Sequence, residues 1–324
     1  MREGVAIIAF TPRGKALGQK LAEALGASLS EGEALRDWPP ENFPRRRALI
    51  FIGAAGIAVR AIAPWVKSKT EDPAVLCLDE GGRYVIPLLS GHLGGANALA
   101  RELAALTGGE TVITTATDAN AVFAVDLWAQ KQGLTILQPE RIKYVSAALL
   151  RGEEVGVSCP YPIAGEIPAG LRLAEDGLVE ITCRARQSEA LTLVPRVLTL
   201  GIGCRRGTTR ERLEESFARF CRERGVLCEA IAKAASIVLK QNEQGLLDFC
   251  AAHAWPLRFY TAEALRAVEG NFHASAFVRE TTGVDNVCER AALAEGGRLL
   301  EEKYVCGGVT FALGERAPRL DWSV

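Results

Sequence analysis

The segment Ser90-Gly91-His92-Leu93-Gly94-Gly95-Ala96-Asn97 gathers an imidazole, a hydroxyl and a carboxamide among three glycines. His92 is one of three histidines in 324 residues, the others being His253 and His273, and it is the one set among glycines at a strand-to-helix junction. An imidazole titrates near neutrality, so it can take and return a proton under ordinary conditions. Ser90 is placed to cap a helix predicted over 91–106, which would put His92 in its first turn. Gly91, Gly94 and Gly95 would let a ligand approach N–H groups that favour anions. Asp118, with Asp79 and Glu80, is the acid best placed at a strand end beside such loops, and a histidine with a carboxylate suits general acid/base work. The plain alternative is that Asp118 caps the next helix and His92 only bonds the backbone.

Other loops share this setting. Gly53-Ala54-Ala55-Gly56-Ile57-Ala58-Val59-Arg60 follows the strand-like run 48–52 and opens a helix, and Thr114 to Asn120, with Thr115 and Asp118, also follows a strand-like run. Ligands in open parallel sheets bind beyond the carboxyl ends of strands, so these loops and 90–97 are expected to line one cleft. Each taken singly is an ordinary βα turn. Gly201 to Gly207 reads GIGCRRG, a strand-turn-helix context with G-x-G-x-x-x-G spacing, which departs from the dinucleotide fingerprint. The acid expected about 20 residues further on is not clearly at a strand end, Glu229 being the nearest candidate. A structural turn or another anionic ligand is favoured there over a nucleotide. Gly203 and Arg205 belong to this loop, and Arg205 with Arg206 would suit carboxylates or simply be solvated. Lys240, directly after a strand, and Glu289, early in a helix, are further groups that could face a cleft.

These loops need a scaffold of alternating strands and helices, and the first half has that rhythm. Runs at 5–10, 48–52, 74–78, 83–88 and 111–114 read as strands, with helices at 14–25, 56–66, 91–106 and 121–131 between or after them. Leu93, Ala96, Leu99, Ala100, Leu103 and Leu106 give one of these helices a buried face, with Asn97 and Arg101 on others. From 134 to 194 short β-branched runs broken by prolines suggest a small linking domain. A new α/β unit opens at strand 196–200 and runs through a helix at 208–224 with Thr208 and Glu211 as a capping box. It continues with strand 236–239, helix 243–252, strand 257–260, helix 286–294 and strand 309–313. The expectation is α/β: an open-sheet N-terminal domain over 1–133, a middle α/β insert over 134–194 and a C-terminal α/β domain over 195–324.

Composition excludes several classes. Hydrophobic residues make up 48% and charged residues 24%, with a net charge of −1 and a pI near 6.4. This argues for a globular chain without a nucleic-acid or anionic-membrane surface. No apolar run is long enough to span a bilayer, and the opening residues lack a signal-peptide core, so a cytoplasmic protein is expected. Nine scattered cysteines with no C-x-x-C predict neither a zinc site nor a disulfide framework, and most read as small core residues.

Several segments in this order resemble the cobalt-precorrin-5A hydrolase family (CbiG). They are IGAAGIAVRAIAP (52–64), DPAVLCLDEGGRYVIPLLSGHLGGANALARELA (72–104), VITTATD (112–118), LGIGCRRGT (200–208), ASIVLKQNEQGL (235–246) and TTGVDNVCERAAL (281–293). The resemblance covers nearly the whole chain and is least typical at 29–47 and 161–187, while the C-terminal region resembles the stand-alone protein CobE. It implies hydrolysis of the δ-lactone of cobalt-precorrin-5A with release of acetaldehyde, giving cobalt-precorrin-5B. Cobalt would be carried by the substrate, with no other cofactor and no protein-bound metal. In that setting His92 is expected as general base or oxyanion partner and Asp118 as an orienting or relay carboxylate. Asn97 and Thr115 would be polar contacts. Gly53, Gly56, Arg60, Ser90, Gly91, Gly94, Gly95, Gly203, Arg205, Lys240 and Glu289 complete the expected substrate surface. The partner is the cobalt-precorrin itself, with no nucleic acid and no membrane. A homodimer and transient contacts with other enzymes of the pathway are compatible with the residues. A non-catalytic corrinoid carrier is the first alternative, and an NAD(P)-dependent oxidoreductase using GIGCRRG the last.

Overall fold

The computed structural model describes residues 4–30, 35–68, 71–92, 94–115, 120 and 122–323. Two compact units are present, one of residues 1–127 with 149–152 and the other of 128–148 with 153–324.

The first unit is a sheet between helices. Strands β1 (Val5–Ala9), β3 (Ala48–Ile52) and β4 (Ala74–Leu78) are apolar and buried along their whole length, as strands covered on both faces must be. Ile7 and Ile50 turn towards α1 (Pro12–Leu25) and α4 (Ala96–Thr107), where Leu21, Leu99 and Leu103 meet them. Ile8 and Phe51 turn the other way, towards Trp38 of α2 (Trp38–Asn42) and Ala58 and Ile62 of α3 (Ala55–Ile62). Each such buried Ile or Leu contributes about 1.5–3 kcal/mol.

Sheet order decides where the loops lie. It runs β2-β1-β3-β4-β5-β6, with β2 at Ser28–Leu29, β5 at Tyr84–Leu89 and β6 at Glu110–Thr111. Strands β1 to β4 are parallel, but β4 and β5 form an antiparallel hairpin, and β6 runs parallel to β5. The hairpin turn is closed by Asp79, whose Oδ2 accepts from Gly81 N at 3.0 Å and Oδ1 from Tyr84 N at 2.6 Å. Asp79 is therefore a turn former.

The second unit holds two five-stranded sheets. One has the order β10-β8-β11-β12-β7, from β7 (Leu134–Ile136), β8 (Val155–Ser158), β10 (Leu171–Leu173), β11 (Val179–Ile181) and β12 (Leu191–Pro195). The other has the order β15-β14-β13-β17-β16, from β13 (Leu198–Cys204), β14 (Ile231–Ile237), β15 (Leu257–Tyr260), β16 (Arg298–Cys306) and β17 (Val309–Glu315). Strands β13, β14 and β15 are parallel, and β17 lies antiparallel to both β13 and β16. A separate pair, β9 (Ile163–Ala164) and β18 (Leu320–Asp321), is parallel. Both units are thus α/β, as the rhythm of the sequence implies.

Helices of the second unit follow their caps. α5 (Val125–Lys131) and α6 (Ile142–Leu150) lie in the stretch of sequence where the chain passes from one unit to the other. α7 (Arg210–Arg224) is capped by Thr209, whose hydroxyl accepts from Arg212 N, whereas Thr208 donates to the Arg205 carbonyl. The cap lies one residue beyond the expected Thr208. α8 (Gln244–Ala252) follows, then the short α9 (Ala262–Arg266), α10 (Ala276–Thr282) and α11 (Cys288–Leu293). α11 presses on β13 at Gly201, where a Cβ would lie 1.8 Å from the Cys288 carbonyl oxygen. Backbone contact this close is possible only without a side chain. All nine cysteines are free thiols, with Cys77, Cys183, Cys250 and Cys288 buried. No helix among the described residues is long and apolar enough to cross a membrane.

Candidate functional site

The loop 90–95 is not the first turn of a helix. α4 begins at Ala96, with Gly95 as its cap at φ +81° and no side-chain cap. Ser90, at φ +55°, turns its hydroxyl to the Asp72 carbonyl at 3.1 Å, while its own carbonyl accepts from Ala96 N at 3.1 Å. Gly91 O accepts from Asn97 N at 2.9 Å and His92 O from Gly95 N at 2.9 Å. Two donors of the helix start are therefore taken by the loop itself. The expected anion cradle at Ser90 to Gly95 is in its place a compact backbone turn that presents His92. Gly94 makes that turn possible, because a Cβ there would lie 2.3 Å from Ser90 Cβ and 2.8 Å from Ser90 O.

His92 meets a carboxylate, and it is Asp126. Nδ1 lies 3.2 Å from Asp126 Oδ2, with the two side chains 13% and 10% exposed. Burial raises the Asp126 pKa, but the hydrogen bond and charge of His92, with N–H groups of Leu127 and of Asp126 itself, outweigh it and hold the carboxyl below its ordinary value. Asp126 stands in the first turn of α5, where the helix dipole also favours an anion. Asp118, the acid expected in this role, lies outside the described residues. The signal for Asp126 was an acid in the run Val125-Asp126-Leu127-Trp128-Ala129, beside the buried Val125, Trp128 and Ala129. A buried carboxylate needs a partner.

Asn97 is buried, not turned to another face of α4, and its Nδ2 donates to Thr115 Oγ1 at 3.1 Å. This bond joins the first turn of α4, which follows β5, to the segment after β6, which the shared direction of those strands brings to one end of the sheet. Gly53, Gly56 and Arg60 are elsewhere. Gly53 N donates to Leu78 O, at the carboxyl end of β4, whereas Leu89 pairs with Val75 near its amino end. The antiparallel hairpin therefore puts Gly53 and Ser90 at opposite ends of β4, about 13 Å apart along the strand. The expected single cleft at these loops is not formed by this sheet.

In the second unit Gly207, Lys240 and Glu243 come together at the carboxyl ends of β13 and β14. Glu243 Oε2 accepts from Gly207 N at 2.8 Å, and Oε1 from Lys240 Nζ at 3.1 Å. The Gly207 bond holds the Glu243 carboxyl below its usual value; burial opposes this and Lys240 reinforces it. Arg205 packs alongside Gly308, and Gly203 lies against Thr310, whose hydroxyl donates to its carbonyl at 3.2 Å.

Glu289 is a structural clamp. It is fully buried. Oε1 accepts from Lys303 N at 2.7 Å and contacts His273 Nδ1 at 2.9 Å, while Oε2 accepts from His273 N at 2.8 Å and from Asn286 Nδ2. A carboxylate so engaged inside the fold does not face a cleft. Among the described residues no group of three or more His, Cys, Asp or Glu side chains is placed to hold a metal ion.

Known proteins share these segments. The family models for the cobalamin synthesis G N-terminal region, the cobalamin biosynthesis central region and the cobalamin synthesis G C-terminus match residues 37–118, 123–196 and 198–314. A cobalt-precorrin-5A hydrolase of Salmonella typhimurium is 38% identical over 96% of this chain and 97% of its own. A second, from Priestia megaterium, is 31% identical over 85% and 80%. Protein CobE of Sinorhizobium sp. is 32% identical over 36% of this chain and 78% of its own. With three consecutive family regions matched and full-length kinship at this identity, the chain belongs to the cobalamin synthesis G (CbiG) family.

Proposed function

We propose that this chain is a cobalt-precorrin-5A hydrolase in which His92 is the general base. The substrate follows from kinship with relatives of that name across almost the whole chain. One observation carries the chemistry: a nearly buried imidazole–carboxylate pair on a glycine turn, beside the Asn97–Thr115 bond. Hydrolysis of a lactone needs a base that takes a proton from water as its oxygen adds to the acyl carbon. Nδ1 is committed to Asp126, which assigns proton exchange to Nε2. The imidazolium would hold that proton while the ring alkoxide leaves, and return it to the macrocycle once the carbon–carbon bond has broken. Collapse of the freed alkoxide, with carbon–carbon cleavage and the electrons taken up by the macrocycle, releases acetaldehyde.

Asn97 and Thr115 are assigned to polar contacts with the substrate. Asp118 keeps the relay role, since Nδ1 is already engaged by Asp126. The reading calls for no resident cofactor, because cobalt enters within the substrate. Anaerobic incubation of purified protein with cobalt-precorrin-5A, trapping acetaldehyde, tests the reading. Release in step with substrate loss supports it, and tight binding without release favours the non-catalytic carrier.

A further inference from the structure

We propose that Asp126 is a positioning residue: it accepts the Nδ1 hydrogen of His92 and fixes the ring as the tautomer whose Nε2 takes the proton from water. The inference rests on the reading of His92 as the base. The two residues are 34 apart in sequence, on a glycine turn and a helix start, yet lie 3.2 Å apart. Taking a carboxylate out of water costs several kcal/mol, which only a well-placed partner offsets. On the acid's side, Asp126 stands in the first turn of α5 and its side chain is 10% exposed, so the carboxylate is carried on a fixed helix start.

The other two histidines also pair with glutamates, but in different settings. His253 stacks on Trp255 at 4.2 Å, meets Phe217 and Phe249 edge-on and bonds Glu214 at 2.9 Å. His273 is 58% exposed, and its partner Glu289 is occupied by backbone donors. Only at His92 are both members of the pair nearly buried.

The same geometry says what an amide would do. In Asp126→Asn the N–H groups at the helix start favour the amide oxygen, so the amide nitrogen faces His92. Its hydrogens force Nδ1 to accept, and the ring hydrogen moves to Nε2. The base is then lost without loss of shape.

Full-length protein labelled with ¹⁵N-histidine reads this directly, because three histidines give three pairs of ring nitrogen signals, with the His92 pair assigned by its disappearance in His92→Gln. The wild type is expected to carry the hydrogen on Nδ1, and Asp126→Asn to carry it on Nε2. Acetaldehyde release should fall at least a hundredfold in kcat in Asp126→Asn with KM within about threefold, and Asp126→Glu should recover part of that loss. A wild-type ring with its hydrogen on Nε2 would overturn the proposal, whatever the stability of the variants. So would full kcat in Asp126→Asn where His92→Gln is inactive. Undiminished release by His92→Gln would instead remove His92 as base, while the spectra would still report whether Asp126 sets the tautomer.

Discussion

Replacing Gly94 by alanine tests whether the turn at 90–95 holds His92 in working geometry. The added Cβ would stand 2.3 Å from Ser90 Cβ, and ordinary contact begins at 3.4 Å, so the two backbones must separate by about 1.1 Å. Neither atom is at the end of a flexible side chain, so the turn itself must move. If half or more of that shift reaches His92, its 3.2 Å contact with Asp126 passes beyond hydrogen-bond reach. Misplacement of a catalytic group by about 1 Å costs on the order of a hundredfold, or about 2.7 kcal/mol in activation free energy. Gly95→Ala is the control. It has nothing within 4 Å of its Cβ but sits at φ +81°, so it should cost about 1–2 kcal/mol of stability and little activity. The assay is initial acetaldehyde release beside thermal unfolding for both variants. A folded Gly94→Ala protein within threefold of wild-type kcat would refute this account of the turn.

Other expectations concern the C-terminal sheet. Gly201→Ala brings a Cβ to 1.8 Å from the Cys288 carbonyl and should destabilise by about 1–3 kcal/mol in urea unfolding; a neutral result would mean that α11 is free to shift. Glu289→Gln places an amide hydrogen against a backbone N–H on one side of the clamp. At 1.5–3 kcal/mol for each charge-assisted bond lost, offset by removal of a buried charge, it should cost about 2–4 kcal/mol, and calorimetry showing less than about 0.5 kcal/mol would contradict the clamp. Glu289, by hydrogen bond and charge, raises the His273 pKa above its ordinary 6.5. The stability His273 contributes is therefore full below that value and lost as pH rises through the higher folded-state value. A His273→Gln variant should lack that alkaline decline, and identical pH profiles of unfolding would rule the linkage out.

The apolar runs 5–9, 48–52 and 74–78 announced the central strands because a strand covered on both faces has no polar positions to confuse the pattern. Strand direction was legible too. Asp79 to Arg83 is far too short for the crossover that two parallel strands need, and so it prescribes a hairpin. Treating the sheet as parallel merged two loop groups that the hairpin separates. β16 escaped notice for another reason. It is an edge strand whose register shifts twice, and its run Arg298 to Cys306 is charged, so no clean alternation survives. His92 stood out because glycines frame it, whereas Asp126 is joined to it only by tertiary packing across 34 residues. Glu289 looked like a cleft residue because helix starts favour acids; its four donors come from residues 273, 286 and 303, beyond the reach of local pattern.

The most direct test of the account is anaerobic release of acetaldehyde from cobalt-precorrin-5A by the wild type and by His92→Ala. Release by the wild type, with at least a hundredfold loss in a folded His92→Ala protein, is the expected result. Equal release by both would contradict the assignment of the base to His92, and binding without release by either would contradict the hydrolase itself.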